Sequence, residues 1–343
     1  MSSHRQPHIS TDSFFHPSTA SDPSLSPTTI YMISGNPGLI GYYHSFLSIL
    51  TEKLNPPTAQ QTPKTPPFQI YGHSLGGFEL TKTPASKPKY YDLEEQICFV
   101  QQKLEDFLAD VSGSSEQTQP PTNSLVPASR PKVILIGHSV GSYIAMEILR
   151  RHRERSMNGT TSSSVDFDII GGVMLFPTVV DIAKSPSGQK LTLAVVVGVL
   201  VRILTALIPG GLLRALIRFY MGSPQDNMVD TTAAFLESDY GVQQALHMAA
   251  DEMRTITSDR WSDDVWGMSA VKDPVTRLFF YFGRNDHWVA ERTRDEVIEL
   301  RGRTDGGPKM IVCEEGLPHA FVLKNSEAVA KKVADMVLDI VSD

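Results

Sequence analysis

Two rhythms of apolar residues alternate along the chain. Short runs of strand length, rich in β-branched and aromatic residues, fall at Thr29 to Ile33, Phe68 to Tyr71, Val133 to Ile136, Ile169 to Phe176, Arg277 to Phe282 and Met310 to Cys313. Between them, apolar positions recur at three- and four-residue steps and predict amphipathic helices. One lies near Tyr43 to Leu54. A second runs from Tyr91 to Val111 through Leu93, Ile97, Val100, Leu104 and Phe107. A third begins at Tyr143, and a closing helix reaches Val341 with Val329, Val333, Met336, Val337 and Ile340 on its inner face. Continuous apolar strands alternating with helices predict a mostly parallel sheet, buried on both faces and wound by right-handed crossovers.

The polar stretches mark the remaining boundaries. Residues 1–27 are dominated by Ser, Thr, Pro, His and Asp, and are expected to be a disordered tail ahead of one α/β domain at 28–343. Residues 55–67 and 112–131 are Pro-, Thr-, Gln- and Ser-rich inserts, and 158–164 is a polar break. One segment departs from both rhythms. Leu191 to Ile208 is almost wholly apolar, interrupted mainly by Gly198 and Arg202. Pro209-Gly210-Gly211 breaks it, and Leu212 to Tyr220 is apolar again around Arg214 and Arg218. The first arm reaches the roughly 18 residues of a spanning helix, but Arg202 would be costly at mid-bilayer. Two arms about a Pro-Gly-Gly break fit a helical hairpin dipping into one lipid leaflet, with arginines reaching back to headgroups. Leu191 to Tyr220 is therefore the expected lipid-facing surface, part of a helical cap insertion at about 184–268. The alternative is a cap packed only on protein. Either cap implies an apolar substrate.

Charge and cysteines narrow the partners. The 343 residues carry 31 Lys and Arg against 38 Asp and Glu, a net charge of −7, which argues against nucleic acid. Cys98 and Cys313 sit in apolar runs without ligand-like neighbours and are expected to be reduced core residues. The start, M-S-S-H-R-Q-P-H, lacks the apolar run of a secretory signal.

The chemistry begins at Pro131 to Arg151. A short strand runs into Gly137-His138-Ser139-Val140-Gly141, and a helical pattern comes at once after it. Strand, sharp turn and helix turn G-x-S-x-G into a nucleophile elbow, which lifts Ser139 over the carboxyl edge of the sheet at a helix N-terminus. The same pattern recurs at Gly72-His73-Ser74-Leu75-Gly76. The next residues there, Gly77-Phe78-Glu79-Leu80-Thr81-Lys82-Thr83-Pro84, have no helical apolar face, so Ser74 is expected in an ordinary loop.

Serine needs a general base, and the base needs a group that fixes its tautomer. Ser139, Asp286 and His319 keep the Ser…Asp…His order of the α/β-hydrolases, with Asp286 just past a late strand and His319 between the last strand and the closing helix. Asp181, also just past a strand, is the competing acid. His138 is expected to pack away from the nucleophile, and His287 to line the pocket or the surface. For the oxyanion, the N–H of Val140 and that of Asn36, in the Gly-rich loop after the first strand, are the expected donors. Gly38 and Leu39 are alternatives, and Pro37 has no N–H to give. This chemistry calls for no metal and no organic cofactor.

Several motifs together resemble the lipid-droplet-associated hydrolase family: Ser34-Gly35-Asn36-Pro37-Gly38 with Tyr42, Tyr43 and Phe46, the elbow, Leu175-Phe176-Pro177-Thr178, Ser185-Pro186-Ser187-Gly188, and Pro318-His319-Ala320-Phe321. The likeness runs from about residue 29 to the C-terminus, apart from the low-complexity inserts. It implies a serine hydrolase of α/β-hydrolase fold on lipid droplets and endoplasmic reticulum, facing the cytoplasm, linked to sterol esters and with weak turnover. The family's nucleophile falls on Ser139. Two other functions fit the same residues: a lipid-surface protein with little or no turnover, and a soluble esterase or thioesterase.

Overall fold

In the computed structural model, residues 6–18, 26–56, 66–80, 89–116, 130–158, 165–190, 208–222, 224–268, 276–302 and 306–342 are described. The strands in chain order are β1 (His8–Ile9), β2 (Ser13–His16), β3 (Thr28–Ile33), β4 (Phe68–His73), β5 (Lys132–His138), β6 (Asp168–Leu175), β7 (Arg277–Phe282) and β8 (Lys309–Val312). They form one sheet in the order β1-β2-β4-β3-β5-β6-β7-β8. From β4 to β8 every pairing is parallel, whereas β1 and β2 join antiparallel.

All six residues of β3 are buried, as a strand covered on both faces requires. Successive side chains point to opposite faces, so each central strand feeds two cores. Tyr31, Ile33, Val133 and Leu135 join one, with α2 (Leu93–Glu116) and α3 (Val140–Asn158). Ile30, Met32, Ile134 and Ile136 join the other, with α1 (His44–Leu54) and the C-terminal helix Ser326–Val341. Each such aliphatic side chain contributes about 1.5–3 kcal/mol by burial.

The N-terminal segment corrects the expectation of a disordered tail. Ser13–His16 pairs with β4, Phe14 against Gly72 and Phe15 against Tyr71. Being adjacent in a strand, the two phenylalanines enter different cores, Phe14 that of α1 and Phe15 that of α2, where its ring lies 5.5 Å from Phe107. Cys98 is a second correction. Cys313 is buried, but Cys98 is exposed on α2.

The cap contains α4 (Gly210–Met221), α5 (Asp226–Glu237) and α6 (Gly241–Thr255). Leu213 and Ile217 of α4 pack on Val229 and Ala233 of α5. The cap is fastened to the body by specific bonds. Tyr42 and Thr232 hydroxyls lie 3.0 Å apart, and Gln244 of α6 bonds both the N–H and the C=O of Tyr91. The opposite face of α4 is apolar and, among the described residues, uncovered: Leu212, Leu216, Phe219 and Tyr220 are exposed, the last two 88% and 91%. Arg214 and Arg218 pair with Asp230 and Asp226 of α5, at 3.1 and 2.5 Å. The first arm of the expected hairpin, 191–207, lies outside the described residues. Among those described, no helix is long and apolar enough to cross a membrane. After β7 comes α7 (Glu291–Arg301), a mostly charged helix that buries Thr293 and Val297, and α8 (Ser326–Val341) closes the chain.

Candidate active site

Ser139 sits between the last residue of β5 and the first of α3, with φ +55°. A non-glycine residue in the left-handed region is strained, and it persists only where the surroundings hold it there. Here the Ser139 N–H donates to Leu175 O at 2.9 Å, and Ser139 O accepts from the Ser142 N–H at 2.9 Å. The motif glycines are needed for close approach. A Cβ on Gly137 would lie 2.5 Å from Gly141 O, and one on Gly141 would lie 2.3 Å from Ile33 O.

Strands β5, β7 and β8 end on the same edge, and the loops beyond them carry Ser139, Asp286 and His319. The sheet brings these three residues together. His319 Nε2 lies 2.9 Å from Ser139 Oγ, and His319 Nδ1 lies 2.9 and 2.8 Å from the two carboxyl oxygens of Asp286. A carboxylate only accepts, so Nδ1 carries the imidazole proton and Nε2 is free to accept the serine proton. Asp286 is fixed in turn: its Oδ1 accepts the Trp288 N–H at 2.8 Å, and its side chain is 1% exposed. Asp181 instead pairs with Lys184 at 2.8 Å, and His287 is exposed.

Beside Ser139, Val140 opens α3, whose first N–H groups lack helical acceptors and lie at the positive end of the dipole. The loop after β3 faces it, with a cis Asn36-Pro37 bond. The Gly35 N–H is taken by Tyr43 Oη at 2.9 Å, and the Leu39 N–H by Pro37 O at 2.8 Å. The Asn36 side chain turns to the cap, donating through Nδ2 to Ala245 O at 2.9 Å and Glu252 Oε1 at 3.0 Å. Burial pushes the Glu252 carboxyl up to about 8, the Asn36 hydrogen bond opposing this only in part.

Sequence reasoning missed three residues around this site. His138 does more than pack. Its Nδ1 lies 2.7 Å from Tyr43 Oη and its Nε2 2.9 Å from His319 O. A polar ring at the buried end of a strand is a weak signal that was present. Tyr43 entered only as a residue of the family motif and Glu252 gave no signal, because His138 and Asn36, which they meet, are remote from them in sequence.

Comparison with known proteins shows the family and the fold. The sequence profile of the Lipid-droplet associated hydrolase family matches residues 26–322. The Gallus gallus protein named Lipid droplet-associated hydrolase is 30% identical over 325 residues, 91% of this chain and 86% of its own. The Homo sapiens protein of the same name is 24% identical and covers 96% of this chain and 89% of its own. Among solved structures, a haloalkane dehalogenase of Bradyrhizobium elkani superposes with a TM-score of 0.53 at 13% identity, covering 98% of this chain and 97% of its own. A serine hydrolase of Cycloclasticus zankles gives 0.52 at 14% identity, over 93% and 92%. The fold is that of the α/β-hydrolases. With the matched region spanning β3 to the loop beyond His319, the chain belongs to the lipid-droplet-associated hydrolase family.

Proposed function

We propose that this hydrolase cleaves carboxylic esters of apolar lipids, sterol esters among them, at lipid droplets and the endoplasmic reticulum, from the cytoplasmic side. The observation that carries the proposal is the 2.9 Å contact between Ser139 Oγ and His319 Nε2, with Asp286 behind the ring. Ser139 Oγ attacks the ester carbonyl carbon as its proton passes to His319 Nε2. The N–H groups of Val140 and Asn36 hold the oxyanion. The imidazolium, stabilised by Asp286, returns the proton to the departing alkoxide. Water then loses a proton to His319, attacks the acyl-serine, and releases the carboxylic acid as Ser139 regains its proton. Removing one oxyanion donor in a comparable site costs on the order of 100- to 1,000-fold in turnover.

The uncovered face of α4 supports the choice of an apolar partner. Two nearly fully exposed aromatics beside Leu212 and Leu216 suit an apolar lipid phase better than water. The same face favours a second function, a lipid-surface protein with little turnover. Purified protein assayed on esters from short-chain to steryl, with a fluorophosphonate label mapped by peptide mass spectrometry, tests the proposal. The expected result is a label on Ser139 and turnover of long-chain or steryl esters. A label on Ser74 overturns the assignment. Cells that tolerate Ser139→Ala but not Phe219→Ser with Tyr220→Ser favour the surface protein.

A further inference from the structure

Tyr43 and His138 lie one step behind the reacting groups, and their protons can be assigned from what each partner is able to do. The carbonyl of His319 only accepts, so His138 Nε2, 2.9 Å away, carries a proton and donates it. The ring is buried, and burial, followed by the neighbouring His319, holds it well below the ordinary histidine pKa, so it is neutral. A neutral ring protonated at Nε2 has an unprotonated Nδ1, which accepts from the Tyr43 hydroxyl at 2.7 Å. Having given its single proton, Tyr43 Oη accepts the Gly35 N–H at 2.9 Å. Every donor then meets an acceptor; reversing the His138 tautomer sets two acceptors against each other at His319 O and leaves the Tyr43 hydroxyl proton without its acceptor.

Packing holds the chain in place. Tyr43 is 3% and His138 5% exposed. Phe176 and Phe321 meet the His138 ring edge-on, with centroids 6.0 and 5.2 Å away. Tyr43, at the start of the α1 region, and His319, beyond β8, are the titratable groups in contact with the ring, with Asp286 across His319.

We infer that Tyr43 and His138 are positioning residues, and that the chain Gly35 N–H to Tyr43 O–H to His138 imidazole to His319 C=O holds the oxyanion loop and the general-base loop in register with the nucleophile. The inference deepens the proposed hydrolytic function and rests on Ser139 and His319 acting as nucleophile and base. It accounts for how loops from three strands keep a common geometry. The Asn36 loop comes after β3, the elbow after β5 and the His319 loop after the short strand β8, and the chain joins all three, through two buried bonds and a half-buried one to His319 O. A misplacement near 1 Å at such a site costs about 100-fold in rate.

Tyr43→Phe removes one hydroxyl and keeps the ring, and it separates positioning from plain packing. The expected result is turnover lowered about 10- to 100-fold with KM within about twofold, in a protein that still unfolds cooperatively. Nitrogen-15 spectra of labelled histidine at neutral pH give an independent readout. In the wild type His138 should show a protonated Nε2 and an unprotonated, hydrogen-bonded Nδ1, and in Tyr43→Phe the Nδ1 signal should move. His138→Gln, whose amide can both accept and donate, should retain more turnover than His138→Ala. Unchanged turnover in folded Tyr43→Phe, or a His138 ring protonated at Nδ1, overturns the inference. A wild type without turnover removes the hydrolytic function alone, and the imidazole spectra still uphold or overturn the hydrogen-bond chain.

Discussion

The chain writes G-H-S-x-G twice, at 72–76 and at 137–141, and gives the two copies different work. Both come at the ends of parallel strands that flank β3, so their serines start from the same edge of the sheet. After Ser139 the chain enters α3 at once, the serine adopts φ +55°, and its hydroxyl reaches His319. After Ser74 the chain turns without a helix, and the hydroxyl accepts the Ile40 N–H at 3.2 Å. The Leu75 N–H donates to Gly38 O at 2.8 Å, so the second copy braces the Asn36 loop from below. The five residues alone do not decide where the hydroxyl goes. The helix after them supplies the strain, the dipole and the direction.

That contrast can be broken by substitution, most severely at the serines. Ser139→Ala should reduce ester turnover on the order of a million-fold, the scale seen when a triad serine is removed, while Ser74→Ala stays within about tenfold. Ser74→Ala should instead destabilise the fold by about 1–3 kcal/mol in denaturant titration, because the Ile40 N–H loses its buried acceptor. Turnover that vanishes with Ser74 and survives without Ser139 would reverse the assignment.

The acids offer the next contrast. Asp286→Asn should cost about 10,000-fold by favouring the wrong His319 tautomer, whereas Asp181→Asn, which loses an ion pair to Lys184, should leave turnover within severalfold. Equal losses from the two would contradict the geometry.

The Asn36 loop, braced below by the second copy, is held above by Glu252, and burial of that carboxyl should make the stability of the fold depend on pH. A folded-state pKa of about 8 lies above the ordinary value near 4.5, so the stabilisation is complete below 4.5 and is lost as pH rises towards 8. Glu252→Gln keeps an acceptor for Asn36 Nδ2 and removes the titration. Near pH 5 the two proteins should melt alike. At pH 8 the variant should be the more stable, by an amount on the order of 4 kcal/mol. Parallel stability curves across that range would show that Glu252 is not a buried neutral acid.

The motif glycines give the last contrast, read in stability alone. Gly137→Ala drives a methyl group into the Gly141 backbone at 2.5 Å and should cost about 3 kcal/mol. Gly72→Ala meets the end of the Ile40 side chain at 2.7 Å, which can move aside, and should cost about 1 kcal/mol. Thermal melts of both variants, ranked against the wild type, check the order.

Legibility in the sequence depended on the range of the interactions. The strands β3 to β8 and the helices α1, α2, α3 and α8 show in apolar spacing, because each is covered on a face that its own periodicity declares. β2 does not. Four residues, Ser-Phe-Phe-His, are a strand only because β4 offers an unpaired edge, and averaging over a polar segment hides the paired phenylalanines. α7 is equally silent: E-R-T-R-D-E-V-I-E-L-R buries too little to write a stripe. Cys98 misled in the opposite way, an apolar-looking position that faces solvent on α2.

By itself the sequence determined the α/β order, the turn that raises Ser139, and the two loops from which an acid and a base could come, since each depends on residues a few positions apart. Only the tertiary structure decided that His138 touches Tyr43 and His319, that Asn36 is gripped by Glu252, and that Ser13–His16 joins the sheet. These contacts join positions 95, 181 and 216 residues apart, or an edge to a passing segment. No local periodicity encodes such a meeting; it exists only once the sheet has assembled and burial leaves each polar group few partners to choose from.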